Sequence, residues 1–308
     1  MTPPRILIDC DPGIDDALAL IYLAGLHRAE EIELVGVTTT AGNVGVAQTA
    51  ANARYVLDRC GLHNVPVAQG EAGPKNVELT TTPETHGENG LGYLKHETTV
   101  NETDYRKILQ TPADQVIVTG PCTNVADHVK DLPWMTVMGG AINYRGNTTP
   151  TAEWNFWVDP HAAKQVFADT LQPVTLCSLE VTERMLLTPK GLERVVDTLG
   201  EHPLARELPE LVRFYFEFHQ AQGEGYRAQI HDLLTCMVAL GTVPWRGTET
   251  TADVEADSEL MRGTSAADLR GQWGREANAI VVTEVNIAKT WEEFLRACTF
   301  LDEAEKNC

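Results

Sequence analysis

Four carboxylates, Asp9, Asp11, Asp15 and Asp16, fall within the run Arg5 to Leu20, RILIDCDPGIDDALAL. Like charges so close repel unless a cation sits among them, and an all-oxygen donor set suits a hard divalent ion, calcium or magnesium rather than zinc or copper. Far along the chain, His231 and Asp232 open the apolar run 233–240. That pair could close a metal site and supply an acid, although a His-Asp pair at a helix start is also a common cap. Between these ends lies NYRGNTTPTAEWNFWVDP, residues 143–160, carrying Asn147, Glu153 and Asn155 amid Trp154, Phe156 and Trp157. Amides and a carboxylate beside rings suit a small polyhydroxylated ligand, and a structural loop pinned by tryptophans would read similarly. His86 lies in HGENGLG, inside the Gly-, Pro-, Thr- and Glu-rich segment 70–103. A loop of that length in a compact domain predicts an active-site flap.

The elements that must position these groups follow from periodicity. Ile6, Leu7 and Ile8 read as a strand ending at Asp9-Cys10-Asp11; Pro12-Gly13 break it, and a helix resumes at Ile14. Asp9 and Asp11 then share one strand face, with the Cys10 thiol on the other, while Asp15 and Asp16 occupy the first helical turn. Such a strand end and helix start are where open α/β sheets place ligands. Strands are expected at 31–38, 66–68, 115–118, 135–138, 173–177, 252–260 and 279–285. Helices are expected at 45–57, from Cys122, at 159–168, across most of 189–222, at 233–240 and from Trp291. Asn43 and the glycines Gly139-Gly140 fall just past strand ends. This alternation predicts an α/β fold: a single domain, residues 1–308, with a mostly parallel central sheet flanked by helices and a Rossmann-like core. Neither GxGxxG nor a Walker sequence occurs, so dinucleotide or ATP binding has no support.

A formal net charge of −20 argues against nucleic acid or anionic membrane as partner. The seven cysteines are scattered without a CxxC pair, which suits a reducing cytosol. No export signal or apolar run of ~18 residues is present, so a cytoplasmic protein is expected.

Taken in order, DCDPGIDDALAL at 9–20, TTAGNV at 39–44, HGENGLG at 86–92, VTGPCTNVA at 118–126, VMGGA at 137–141, GNTTPTAEWNFWVDP at 146–160 and HD at 231–232 resemble the inosine–uridine preferring nucleoside hydrolases over nearly the whole chain. The resemblance implies calcium-dependent hydrolysis of the N-glycosidic bond of ribonucleosides. It implies Ca²⁺ held by Asp11, Asp16, the Thr119 carbonyl and Asp232, with water and ribose hydroxyls completing the shell. Asp15, Asn43, Asn147, Glu153 and Asn155 match ribose-holding positions, with Met138 packed near the sugar. Asp11 would take the proton of the attacking water. His231 matches the leaving-group acid, expected near the ordinary histidine pKa of ~6.5, and His86 the flap histidine near the base. Residues facing the base are expected between Arg213 and Gln229, and a homo-oligomer, dimer or tetramer, is implied. Two rivals are a haloacid-dehalogenase-like phosphatase, which shares the strand-DxD opening but leaves the later motifs unused, and a non-enzymatic nucleoside-binding protein.

Overall fold

The computed structural model describes residues 2–100 and 104–305, so the last three positions of the expected flap, 101–103, lie outside it. Its strands are β1 (Arg5–Cys10), β2 (Glu33–Thr39), β3 (Val67–Gln69), β4 (Gln115–Val118), β5 (Trp134–Met138), β6 (Val174–Cys177), β7 (Leu186–Leu187), β8 (Ala228–Gln229), β9 (Trp245–Thr250), β10 (Ala252–Val254), β11 (Ser265–Ala267) and β12 (Ala279–Val285). The helices are α1 (Ile14–Arg28), α2 (Val46–Arg59), α3 (Pro83–His86), α4 (Tyr105–Leu109), α5 (Trp154–Val158), α6 (Pro160–Asp169), α7 (Leu179–Thr182), α8 (Pro189–Leu199), α9 (Leu204–Ala221), α10 (His231–Leu240) and α11 (Ile287–Glu305).

One eight-stranded sheet runs β3-β2-β1-β4-β5-β6-β12-β9. All its pairings are parallel except β12 with β9. The chain starts in the middle, lays β2 and β3 on one side of β1, then crosses back to lay β4 on the other. That reversal makes the carboxyl ends of β1 and β4 the topological switch point, where an α/β sheet opens a crevice. Asp11 follows β1 and Thr119 follows β4, so both site candidates stand at its lip.

Helix α1 is buried from Ile14 through Leu26, on every face, because α2, α10 and α11 surround it. Its amino end is therefore fixed on all sides. Asp15 and Asp16 inherit that rigidity.

Three expectations are corrected. No α-helix begins at Cys122; a single 3-10 turn at Ala126–His128 stands there. Thr123 and Asn124 spend their side chains elsewhere, donating to Asp159 Oδ2 (2.8 Å) and Asp9 Oδ1 (2.7 Å), and such residues favour these bonds over a helix interior. The strand expected over 252–260 ends at Val254. The sheet's edge strand is instead β9, whose WRGTET is exposed along most of its length and carries no apolar alternation to announce it. Finally, the last helix starts at Ile287, four positions before Trp291.

Candidate active site

A cavity of about 500 Å³ opens at the crevice. Asp11, Asp15, Asn43, His86, Thr119, Met138, Asn147, Glu153, Asn155, His231 and Asp232 all line it, while Asp16 lies just beneath and bonds to Thr119. The fold thus gathers at this cavity every residue that the resemblance assigns to metal, sugar, base or proton transfer, whereas Asp9, the fourth carboxylate of the opening motif, stays outside it. The Asp9 carboxylate accepts from Thr38 Oγ1 (2.5 Å) and Asn124 Nδ2 (2.7 Å) and is wholly buried, so it braces strand ends outside the cavity. Burial lifts it to about 7.

Asp15, Asp16 and Asp232 each bring an oxygen to within 4.8 Å of the other two. All three are buried, and burial followed by mutual repulsion pushes Asp15 to about 7 and Asp232 well above the ordinary carboxylate range. Burial raises Asp16 as well, against hydrogen bonds from the Gly13 N–H (3.0 Å) and Thr119 Oγ1 (2.9 Å). Three buried carboxylates this close fit a cation, and every donor atom is oxygen, which fits a hard one. The Cys10 thiol donates to the Thr38 carbonyl.

Asp11 lies beside this trio rather than within it. Its Oδ2 accepts the Asn43 N–H at 2.7 Å, and Asn43 Nδ2 reaches Asp16 Oδ2 at 3.4 Å. Gly42 and Gly120 leave room for it: a Cβ on Gly42 would stand 2.2 Å from Asp11 Oδ2, and one on Gly120 2.7 Å from Oδ1. Gly42→Ala is accordingly expected to displace Asp11 and, if Asp11 takes the water proton as the resemblance implies, to lower kcat on uridine on the order of 10²-fold, the scale of a small misplacement of a reacting group. An unchanged kcat would show that the Asp11 position is not critical.

On the opposite wall Asn155 Nδ2 donates to the Thr119 carbonyl (2.7 Å) and contacts Met138 Sδ (3.4 Å). Glu153 caps α5, accepting the N–H groups of Asn155 (2.8 Å), Phe156 (3.1 Å) and Gly140 (2.9 Å), and burial raises it to about 7. Asn147 Oδ1 accepts the Trp154 N–H at 3.0 Å. The expected amide-and-carboxylate cradle is therefore built from one folded segment, with the Trp154 and Trp157 rings stacked at 5.8 Å.

His86 Nδ1 accepts the Ile14 N–H at 3.1 Å, which leaves its hydrogen on Nε2. His231 Nδ1 pairs with Thr182 Oγ1 at 2.8 Å. Its expected ordinary pKa is corrected: burial, then His219 and His86, push it down to about 3, so the ring is uncharged at neutral pH. Sequence reasoning missed Arg145 and Glu183, while His219, Tyr215 and Phe218 fall within the stretch 213–229 expected to face the base without being singled out there; all five line the cavity. For the aromatic pair the signal was the density of rings in 211–219.

A parallel α/β sheet with an acidic cavity at its switch point defines the class of fold. Residues 6–292 match the family described as inosine-uridine preferring nucleoside hydrolase, and the chain belongs to that family. It is 33% identical to the inosine-uridine preferring nucleoside hydrolase of Crithidia fasciculata, covering 94% of this chain and 95% of the relative. It is 32% identical to the pyrimidine-specific ribonucleoside hydrolase RihA of Shewanella woodyi, with the same coverage. The purine-preferring ribonucleoside hydrolase from Gardnerella vaginalis superposes with a TM-score of 0.86 at 25% identity, over 97% of this chain and 99% of that one. The protein is a ribonucleoside hydrolase that cleaves the N-glycosidic bond, and this family of enzymes is metal-dependent. The three relatives differ in named base preference, so likeness carries the reaction and not the base.

Proposed function

We propose that this chain hydrolyses ribonucleosides to free base and ribose with calcium as its metal. The observation that carries the metal assignment is the buried trio Asp15, Asp16 and Asp232. Asp16, Asp232, Asp11 and the Thr119 carbonyl are the residues proposed to hold the ion, with Asp15 serving ribose and trio alike. When bound, calcium supplies Lewis-acid polarisation and neutralises the cluster.

The chain's own residues do the rest. Asp15, Asn43, Asn147, Glu153 and Asn155 hold the sugar hydroxyls and Met138 packs against the ring. Asp11, fixed by the Asn43 N–H, accepts the proton of the attacking water. Cleavage builds positive charge on the ribose, and a cavity walled by carboxylates favours that charge over the neutral ground state. His86 is assigned to the base side through Nε2–H. His231, uncharged and with Nδ1 engaged by Thr182, donates a hydrogen bond to the departing base from Nε2 instead of releasing a stored proton.

Family resemblance supports a homo-oligomer, dimer or tetramer, and the six buried free thiols among the described residues support a cytoplasmic setting. No helix of the described residues is long and apolar enough to cross a membrane.

The test is release of free ribose from inosine, uridine, cytidine, guanosine and adenosine without phosphate; no release from any of them would end this reading. The role of His231 has its own test. His231→Ala is expected to lose ~10²–10³-fold on inosine, the usual scale for one preorganised donor. It should largely keep activity on p-nitrophenyl riboside, whose leaving group is stable as an anion, with calcium still bound. Equal losses on both substrates would make His231 a shaping residue.

A further inference from the structure

Part of the cavity wall is claimed by neither sugar nor metal, and its polar groups form one chain of partners. His219 Nδ1 meets Glu224 Oε2 at 2.7 Å, the Gln229 N–H donates to His219 Nε2 at 3.3 Å, and Gln229 Nε2 donates to Glu224 Oε2 at 3.1 Å. Since Nε2 accepts, Nδ1 carries the ring hydrogen, and both nitrogens of His219 are committed to the protein. Arg145 links this group onward. Its Nη2 lies 3.7 Å from Glu224 Oε1 and 2.9 Å from Glu183 Oε2, which also accepts from the Tyr144 hydroxyl at 2.9 Å.

One acceptor in this chain is left over. Glu183 Oε1 is buried with no hydrogen-bond partner among the described residues, on a side chain only 7% exposed that lines the cavity. Trp154 Nε1, the other orphan on a cavity-lining residue, belongs to the Asn147 wall. A buried carboxylate oxygen without a donor is costly, and in a ligand cavity it marks where a ligand's donor belongs. The sequence neighbour of Glu183 fixes which end of the ligand that is. Thr182 holds His231, the residue assigned to the departing base.

We propose that Glu183 reads the base, its Oε1 accepting a hydrogen bond from an N–H on the nucleobase pairing edge while Tyr144 and Arg145 brace Oε2. The substrate class is a ribonucleoside whose base offers a ring N–H, as uracil and hypoxanthine do. This rests on the sugar and metal assignments above, which decide the end of the cavity that the base takes.

The test compares uridine with 3-methyluridine, which lacks the ring N–H, in the full-length enzyme and two variants. The unaltered enzyme should favour uridine by at least about tenfold in kcat/KM, and Glu183→Gln should narrow that ratio about tenfold, the scale of one hydrogen bond to a charged group. Tyr144→Phe removes only a brace from a residue 41% exposed, so it tests the same ratio even where a Glu183 variant fails to fold. It should narrow the ratio about threefold. A ratio unchanged in the folded variants overturns the proposal, as does an unaltered enzyme that treats both substrates alike. Absence of ribose release from uridine by the unaltered enzyme would instead strike the functional reading beneath it.

Discussion

Asp232→Ala is expected to abolish ribose release from every nucleoside and to lower the metal content of the purified protein, and Asp16→Ala to do the same. The reason lies in the trio's electrostatics. Asp15, Asp16 and Asp232 are buried within 4.8 Å of one another; burial raises all three above the ordinary carboxylate range, and repulsion from the neighbouring carboxylates adds to it for Asp15 and Asp232. A cation reverses that balance by favouring the charged forms, so metal binding and deprotonation proceed together. Removing one carboxylate eases the repulsion but takes away a ligand. The variant should therefore fold at least as well without metal while binding it more weakly. Full metal content and full turnover in either variant would show that the ion, if any, sits elsewhere.

The second large effect concerns the sugar. Removal of the 2′-hydroxyl is expected to lower kcat/KM on the order of 10⁴-fold, because a site built to pair hydroxyls leaves its own buried polar groups unpaired when one is missing. Asp15 and Asn155 are 4% and 5% exposed, too deep for solvent to replace the lost partner fully. Glu153 has all its oxygens engaged by backbone N–H groups, so its share should be smaller than that of Asp15. Comparable kcat/KM for uridine and 2′-deoxyuridine would contradict this arrangement of the cradle.

Much of this site could be read from the chain because its parts sit at strand ends. The break at Pro12-Gly13 after an apolar run and the resumption at Ile14 place Asp11, Asp15 and Asp16 before any coordinates are known, and the parallel sheet follows from the same alternation. What stayed hidden depends on contacts between distant segments. Asp9 looks equivalent to Asp11 in the motif, yet its partners Thr38, near the end of β2, and Asn124, in the loop beyond β4, come from distant segments and hold it outside the cavity. Burial of His231 against His219 and His86 is likewise a property of three separate segments, so no local pattern signals its lowered pKa. Glu183 and Arg145 are ordinary surface types in sequence. Only the fold brings them to one cavity.

Calcium dependence of the unaltered enzyme is the most direct test. The protein is stripped with a chelator, its residual metal measured, and ribose release from uridine followed as calcium is added back without phosphate. Loss of turnover with the metal and its return as calcium fills one site per chain is the predicted result. Undiminished turnover by protein free of divalent metal would contradict it.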